Sequence, residues 1–94
     1  MQPDLVHPRI RLAPGVLFRQ EGDRSALLNL ASRELIGLDA MATAMLAAVL
    51  AAPSIEDAAD RLLAEYEVGA ARLDADLHGL VDMLGARGLI EVLQ

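Results

Sequence analysis

Three side chains near the C-terminus have the types and the spacing of a small metal or acid–base site. Asp74, His78 and Asp82 follow one another at intervals of four residues, which places two carboxylates and an imidazole on one side of a helix. A zinc ion needs four protein ligands, or three and a water molecule. The same residues lie opposite a stripe of leucines, where any amphipathic helix carries its polar side chains. The pattern therefore favours a solvated face, and we expect no metal and no other cofactor.

The hydroxyl side chains offer no nucleophile for covalent catalysis. No serine stands in a Gly-x-Ser-x-Gly turn, neither histidine has an evident nucleophile partner, and the chain has no cysteine. Ser54 is better explained as the N-cap of a helix. The glycines occur singly, so no glycine-rich phosphate loop is present. We therefore expect a protein that is not an enzyme.

The charge of the chain argues against nucleic acid as its partner. The net charge is −6, with eight arginines and no lysine, whereas duplex binding relies on clustered Lys and Arg to neutralise phosphates. In the last predicted helix, Asp74, Asp76 and Asp82 outnumber Arg72 and Arg87. A winged-helix regulator that binds DNA through this helix is the alternative from another functional class, and the acidic helix predicts that DNA is not bound.

The apolar pattern, turns and caps predict one domain of class α+β. Residues 1–14 contain three prolines and are predicted to form an extended N-terminal arm, with the folded domain at residues 15–94. The expected fold is a small winged helix-turn-helix-like domain, in which a three-stranded antiparallel sheet is followed by three helices. The predicted elements are strands at 16–19, 26–30 and 34–38, helices at about 40–51, 55–66 and 70–87, and a closing strand or apolar tail at 89–93.

The predicted hairpin at residues 26–39 is apolar on both faces. Leu28 and Leu27 point to opposite faces of one strand, as Ile36 and Leu35 do on the next. A sheet that packs helices on one face should instead alternate apolar and polar residues. We therefore expect the second face or the edge of this hairpin to meet something else.

The third predicted strand is poorly protected against the addition of another strand. It carries no proline or lysine and only one charge, that of Glu34. Gly37 lies inside it, where a glycine often marks the close approach of another backbone. The sequence leaves two explanations open: an extended peptide adds to this edge, or Gly37 makes room for a helix of the same domain.

The order and spacing of several short segments resemble the PqqD-like family, the recognition elements of ribosomally made and modified peptides. The resemblance runs from about residue 14 to residue 93. It implies a winged-helix domain that binds the leader segment of a precursor peptide and presents it to modifying enzymes. The matching segments are Leu27-Leu28-Asn29-Leu30, Leu38-Asp39, Ser54-Ile55-Glu56-Asp57, Leu63-Ala64-Glu65-Tyr66-Glu67-Val68, Asp76-Leu77 and Arg87-Gly88-Leu89-Ile90.

In this family the leader adds as a strand to the third strand, in a groove bounded by the third helix. Applied to this chain, the resemblance implies a peptide-binding site made of five strand residues and six helix residues. The strand residues are Glu34, Leu35, Ile36, Gly37 and Leu38, and the helix residues are Leu73, Asp76, Leu77, Leu80, Met83 and Leu84. Because one leucine stripe must serve both the core and the groove, the sequence does not divide the helix residues between the two.

Within the family, the chain looks most similar to the free-standing proteins of lasso-peptide pathways, which act beside a leader peptidase and a cyclase. Members from pyrroloquinoline quinone synthesis usually carry a Pro-Glu-Gly-like turn and an Asp-Gly pair, where this chain has Ala31-Ser32-Arg33 and Ala52-Pro53. A chaperone of that pathway remains an alternative.

The expected partners are a precursor peptide and a leader peptidase or other modifying enzyme, with no nucleic acid and no membrane. The protein is expected to be a monomer or a homodimer. The expected location is the cytoplasm, since no signal peptide or membrane-spanning run is recognisable.

Overall fold

The computed structural model describes residues 9–93 of the chain. Five strands and three helices follow one another in this part of the protein. They are β1 (Arg9–Leu12), β2 (Val16–Glu21), β3 (Arg24–Asn29), β4 (Leu35–Leu38), α1 (Ala40–Ala51), α2 (Ile55–Glu65), α3 (Ala70–Ala86) and β5 (Ile90–Leu93). The prediction of an antiparallel three-stranded sheet followed by three helices is confirmed.

The three-stranded sheet has the order β2-β3-β4 and is antiparallel throughout. β2 and β3 are joined by the two-residue turn Gly22-Asp23, in which Gly22 has a φ of 63°, as the first position of a type II′ hairpin turn requires. A five-residue loop then leads into β4 and contains Arg33, also at a φ of 63°. Within this loop the Asn29 carbonyl oxygen accepts from the Arg33 N–H, and the Asn29 side chain accepts from the N–H of Ala31.

A second, two-stranded sheet joins the two ends of the described chain. β1 pairs antiparallel with β5, in a register that sets Ile10 opposite Val92 and Leu12 opposite Ile90. The closing strand proposed at residues 89–93 is therefore present. Residues 9–12, assigned by prediction to a separate arm, form part of the fold, because Ile10 is buried in the core. The remainder of the predicted arm, residues 1–8, lies outside the described residues.

Capping residues mark the starts of α1 and α2 and the end of α3. The Asp39 side chain accepts from the N–H of Ala42 at the start of α1, and Ser54 accepts from the N–H of Asp57 at the start of α2. α3 ends before Gly88, whose φ of 72° allows the chain to turn into β5. None of the helices in residues 9–93 is long and apolar enough to cross a membrane.

One hydrophobic core lies between the inner face of the three-stranded sheet, the helices and the small sheet. The predicted apolar positions of α3 are all buried, as are the main apolar positions of α2 and most of those of α1. The sheet is tied to α1 by a hydrogen bond of 2.7 Å between the hydroxyls of Ser25 and Thr43. The largest fully buried side chains are those of Ile10, Leu27, Leu46, Leu73, Leu77, Leu84, Leu89 and Val49.

Asp39→Ala is expected to lower the free energy of unfolding by about 1 kcal/mol, because it removes the side-chain cap from the exposed start of α1. Asp60→Ala, on the exposed surface of α2, is the matched control and should change stability by less than ~0.5 kcal/mol. Urea unfolding followed by circular dichroism measures both. Equal effects of the two changes would contradict the assigned cap.

Candidate peptide-binding site

The outer edge of β4 is unpaired among the residues that the structure describes, since β3 is its one neighbour in the sheet. The N–H of Asn29 donates to the carbonyl oxygen of Glu34 at 2.9 Å. In an antiparallel ladder the hydrogen-bonded pairs alternate, so the next bonded residues of β4 are Ile36 and Leu38, opposite Leu27 and Ser25. The intervening residues of β4 therefore direct their main-chain groups away from the sheet.

Leu35 and Gly37 are those intervening residues. Each turns one N–H donor and one C=O acceptor towards the free edge, where a further strand could pair with all four groups. Gly37 is exposed, and a Cβ built on it would meet no atom within 4 Å. The alternative that Gly37 makes room for a helix of the same domain is therefore wrong for this structure.

α3 runs beside β4 in the opposite direction. At one end, the Arg87 guanidinium contacts the Glu34 carboxylate at 2.6 Å. At the other end, Met41, three residues beyond β4, lines one cavity together with Leu73 and Asp76 from the first turns of α3. These two contacts link the two ends of α3 to the segments directly before and after β4, and we call the region between them the β4–α3 groove.

The flank of α3 that borders this groove carries Asp76, Leu80, Met83 and Arg87, spaced by four, three and four residues. Asp76 is exposed, Leu80 is 8% exposed and Met83 is 37% exposed. On the opposite side of the groove, Ile36 is half-buried and packs against the core. Along this flank Leu80 is therefore buried and Met83 is the exposed apolar side chain, with Asp76 on one side of them and Arg87 on the other.

The remaining predicted helix residues lie in the core. Leu77 and Leu84 are fully buried, so their side chains offer no surface to a peptide in this structure, and Leu73, which borders the cavity beside Met41, is only 2% exposed. Leu38 is also buried, at 7% exposure. Of the predicted site residues, Glu34, Ile36, Asp76 and Met83 have side chains that are exposed or half-buried, and Leu35 and Gly37 turn main-chain groups to the free edge. Leu38, Leu73, Leu77, Leu80 and Leu84 are buried.

Two residues at the ends of the groove were missed by sequence reasoning. Arg87 closes one end through its ion pair with Glu34, and Met41 borders the other end. Arg87 follows Asp76, Leu80 and Met83 at helical spacing. A helical-wheel projection of this segment would therefore have placed it on the same side. No sequence signal connects Met41 with α3, because the two are brought together by the packing of separate helices.

The charged groups of α3 interact with one another and with neighbouring elements. His78 Nδ1 lies 2.9 Å from the Asp74 carbonyl oxygen and 3.4 Å from its carboxylate, and all three members of the predicted polar column are exposed. No group of three or more potential ligands is arranged around a metal position within residues 9–93. Arg72 lies 3.8 Å from Asp76. The two arginines of this helix region are thus each engaged with an acid.

The outer face of the three-stranded sheet explains the apolar residues on both faces of the hairpin. The strand register sets Leu17 opposite Leu28 and Leu28 opposite Leu35, which gives one row of leucines across the sheet. Leu17 is 52% exposed and Leu35 is 67% exposed. The inner face is covered by helices, whereas this row remains open to solvent. It ends at the same free edge of β4.

An open strand edge beside an exposed helix flank defines this chain as a small α+β module suited to strand addition. The chain belongs to the PqqD family, since the family model described as "Coenzyme PQQ synthesis protein D (PqqD)" matches residues 24–90. No curated protein of known function matches the sequence.

Two solved structures share the fold. One is TbiB1 in complex with the TbiA(beta) leader peptide, with 25% sequence identity and a TM-score of 0.79 over 86% of this chain and 94% of that one. The other is a lasso peptide synthetase B1 complexed with its leader peptide, with 29% identity and a TM-score of 0.79 over 88% of this chain and 98% of that one. In both comparisons the similarity spans nearly the whole of the known protein.

Proposed function

We propose that this protein binds the leader segment of a ribosomally synthesised precursor peptide and delivers it to a modifying enzyme of lasso-peptide biosynthesis. The observation that carries the proposal is the free edge of β4, with Leu35 and Gly37 directed outwards beside α3. It is supported by the family match and by two proteins of the same fold that were solved with leader peptides.

Binding in this proposal rests on main-chain hydrogen bonds and apolar contact. An extended leader pairs with the outward groups of Leu35 and Gly37, which gives affinity with little dependence on side-chain identity. Leader side chains that point into the β4–α3 groove contact Ile36 and Met83. The Glu34–Arg87 ion pair bounds the groove at the start of β4.

The module itself is proposed to be non-catalytic. Its contribution to the reaction is to hold the leader near a partner enzyme, which raises the local concentration of the precursor there. The partner is a leader peptidase or another modifying enzyme. We place the protein in the cytoplasm, and a chain without cysteine fits a reducing compartment.

A labelled peptide that contains the leader of the precursor encoded beside this protein should bind the isolated protein at micromolar concentration. Because apolar and main-chain contacts dominate, the dissociation constant should change by less than about threefold between ~0.05 and ~0.5 M salt. Fluorescence anisotropy at several salt concentrations measures this. Absence of binding would refute leader recognition, and a steep salt dependence would refute the apolar mode of binding.

The second candidate is a peptide chaperone of pyrroloquinoline quinone synthesis, which the name of the matching family favours. The same titration with a quinone-precursor peptide in place of the lasso-type leader separates the two. Preference for the quinone-precursor peptide would overturn the assignment to lasso-peptide biosynthesis and leave strand addition unchanged.

A further inference from the structure

A cavity of about 420 Å³ opens at the tip of the β2–β3 hairpin, and the binding of a leader to β4 does not use it. Gln20 and Asp23 line it from the hairpin, and Tyr66 lines it from the end of α2. The first half of α1 contributes the remaining residues, among them Met41, which also borders the β4–α3 groove. Three elements that are distant in sequence therefore meet around this cavity.

The α1 side of the cavity is mainly apolar. Met41 and Ala44 line it and are half-buried. Thr43 also lines it, but this residue is 2% exposed and its hydroxyl is already engaged with that of Ser25 at 2.7 Å. This side therefore offers apolar contact to a ligand, as the aliphatic stem of a long charged side chain requires.

Asp23 is the one residue of this cavity that is charged at neutral pH. Among the described residues its carboxylate takes part in no ion pair and in no side-chain hydrogen bond. Its neighbour Arg24 lines a different cavity, together with Arg19 and Glu21 of the outer face of the sheet. The positive end of the α1 dipole is offset by the capping carboxylate of Asp39. The negative charge at the hairpin tip is therefore left without a partner in the described part of the chain.

Tyr66 gives the same cavity an aromatic surface. Its side chain is exposed, and it also lines a neighbouring cavity in which Arg61 and Glu65 carry opposite charges. The face of an aromatic ring attracts cations, and a guanidinium group both stacks on a ring and pairs with a carboxylate. A ring and an unpaired carboxylate that line one cavity therefore favour an arginine side chain as the ligand.

We propose that this cavity is a docking pocket for an arginine side chain of the modifying enzyme, whose guanidinium group contacts Asp23 and Tyr66. The net charge of −6 favours a basic surface on that partner. β3 separates β2 from the free edge of β4, so a leader paired with β4 leaves the hairpin tip uncovered for a second protein. The choice of the enzyme as the occupant rests on the proposed function, whereas the preference for arginine rests on the cavity alone.

Nα-acetyl-arginine methylamide is the probe for the pocket, and the corresponding citrulline derivative is its uncharged isostere. Titration into wild-type protein with ¹³C-labelled methyl groups should shift the Met41 and Ala44 resonances. The arginine derivative should bind about tenfold more tightly than the citrulline derivative, because only arginine is charged. Equal binding of the two derivatives, or no shift at these methyl groups, would overturn the pocket.

Variants then separate the carboxylate from the ring. Asp23→Asn and Tyr66→Leu should each weaken binding of the arginine derivative by about three- to tenfold. Asp60→Asn removes an exposed acid of α2 that does not line the cavity, and should leave the affinity unchanged. Equal effects of Asp23→Asn and Asp60→Asn would show a general response to net charge and would overturn the pocket.

The leader and the enzyme are distinguished as occupants by a second titration. In protein saturated with the leader peptide, the arginine derivative should bind with unchanged affinity. Displacement of the derivative by the leader would assign the pocket to the leader and overturn docking of the enzyme. Failure of the leader to bind would refute the proposed function and the choice of occupant, whereas the preference for arginine over citrulline is measured without the leader.

The leader peptidase encoded beside this protein is the probe for docking itself. Asp23→Arg should weaken binding of the leader-loaded protein to this peptidase by about tenfold, because it sets like charges against each other, and should leave leader affinity unchanged. Asp60→Arg makes the same change of charge away from the cavity and is the matched control. Biolayer interferometry measures both, and equal affinities of the two variants for the peptidase would overturn the proposal.

Discussion

Leu35→Pro is expected to weaken leader binding by roughly 1.5 to 3 kcal/mol, or about ten- to a hundredfold, while the domain stays folded. The N–H of Leu35 points away from β3 by the alternation of the ladder. Proline removes that donor, and its ring occupies the place of the incoming strand. Since an edge strand tolerates proline where the N–H faces solvent, stability should change little. Anisotropy titration and thermal unfolding measure the two effects.

Two matched variants separate the main chain from the side chain. Leu35→Ala keeps the N–H, and should retain most of the binding that Leu35→Pro loses. Ile36→Pro removes an N–H that the ladder alternation directs to β3, and should cost about 1 to 3 kcal/mol of stability. If Leu35→Pro lowers stability as much as Ile36→Pro does, the outer edge of β4 is not the binding site. The same conclusion follows if the Leu35→Pro protein binds the leader as tightly as the Leu35→Ala protein.

Leu77→Ala is expected to lower the free energy of unfolding by about 2 to 5 kcal/mol, because it empties a fully buried position in the middle of α3. The family resemblance alone assigned Leu77 to the peptide site, whereas its burial assigns it to the core. Chemical denaturation gives the stability change. Peptide affinity measured under folding conditions should fall only by the fraction of protein that is unfolded.

Met83→Ala is the matched control on the neighbouring flank of the same helix. Its side chain is 37% exposed at the β4–α3 groove, so truncation should cost less than ~1.5 kcal/mol of stability and should weaken peptide binding directly. The reverse pattern, a stable Leu77→Ala protein with lost binding and a Met83→Ala protein with normal binding, would show that the peptide enters the core face of α3.

The Glu34–Arg87 ion pair lies at one end of the groove. Both side chains are partly exposed, at 37% and 49%, and ion pairs of that kind contribute about 0 to 1 kcal/mol. The pair therefore adds little to the stability of the fold. In the proposed complex, the bound strand leaves the groove at this ion pair.

Much of the local structure could be predicted because its signals are local. Asp39 and Ser54 cap the helices that follow them, and the leucine spacing of α3 gives its length and its buried face. β1 could not be predicted, because its pairing with β5 joins residues about 80 positions apart and depends on Ile10 entering the core. Nothing in the prolines that surround Ile10 signals that distant strand.

The sequence by itself determined the α+β fold and the poorly protected strand at Glu34 to Leu38. These follow from composition, periodicity and turn residues, which act over a few positions. The tertiary structure decided which groups face the free edge and which flank of α3 borders it. Leu77 and Met83 lie on one helix and both are apolar, and the packing against the sheet alone buries the first and exposes the second.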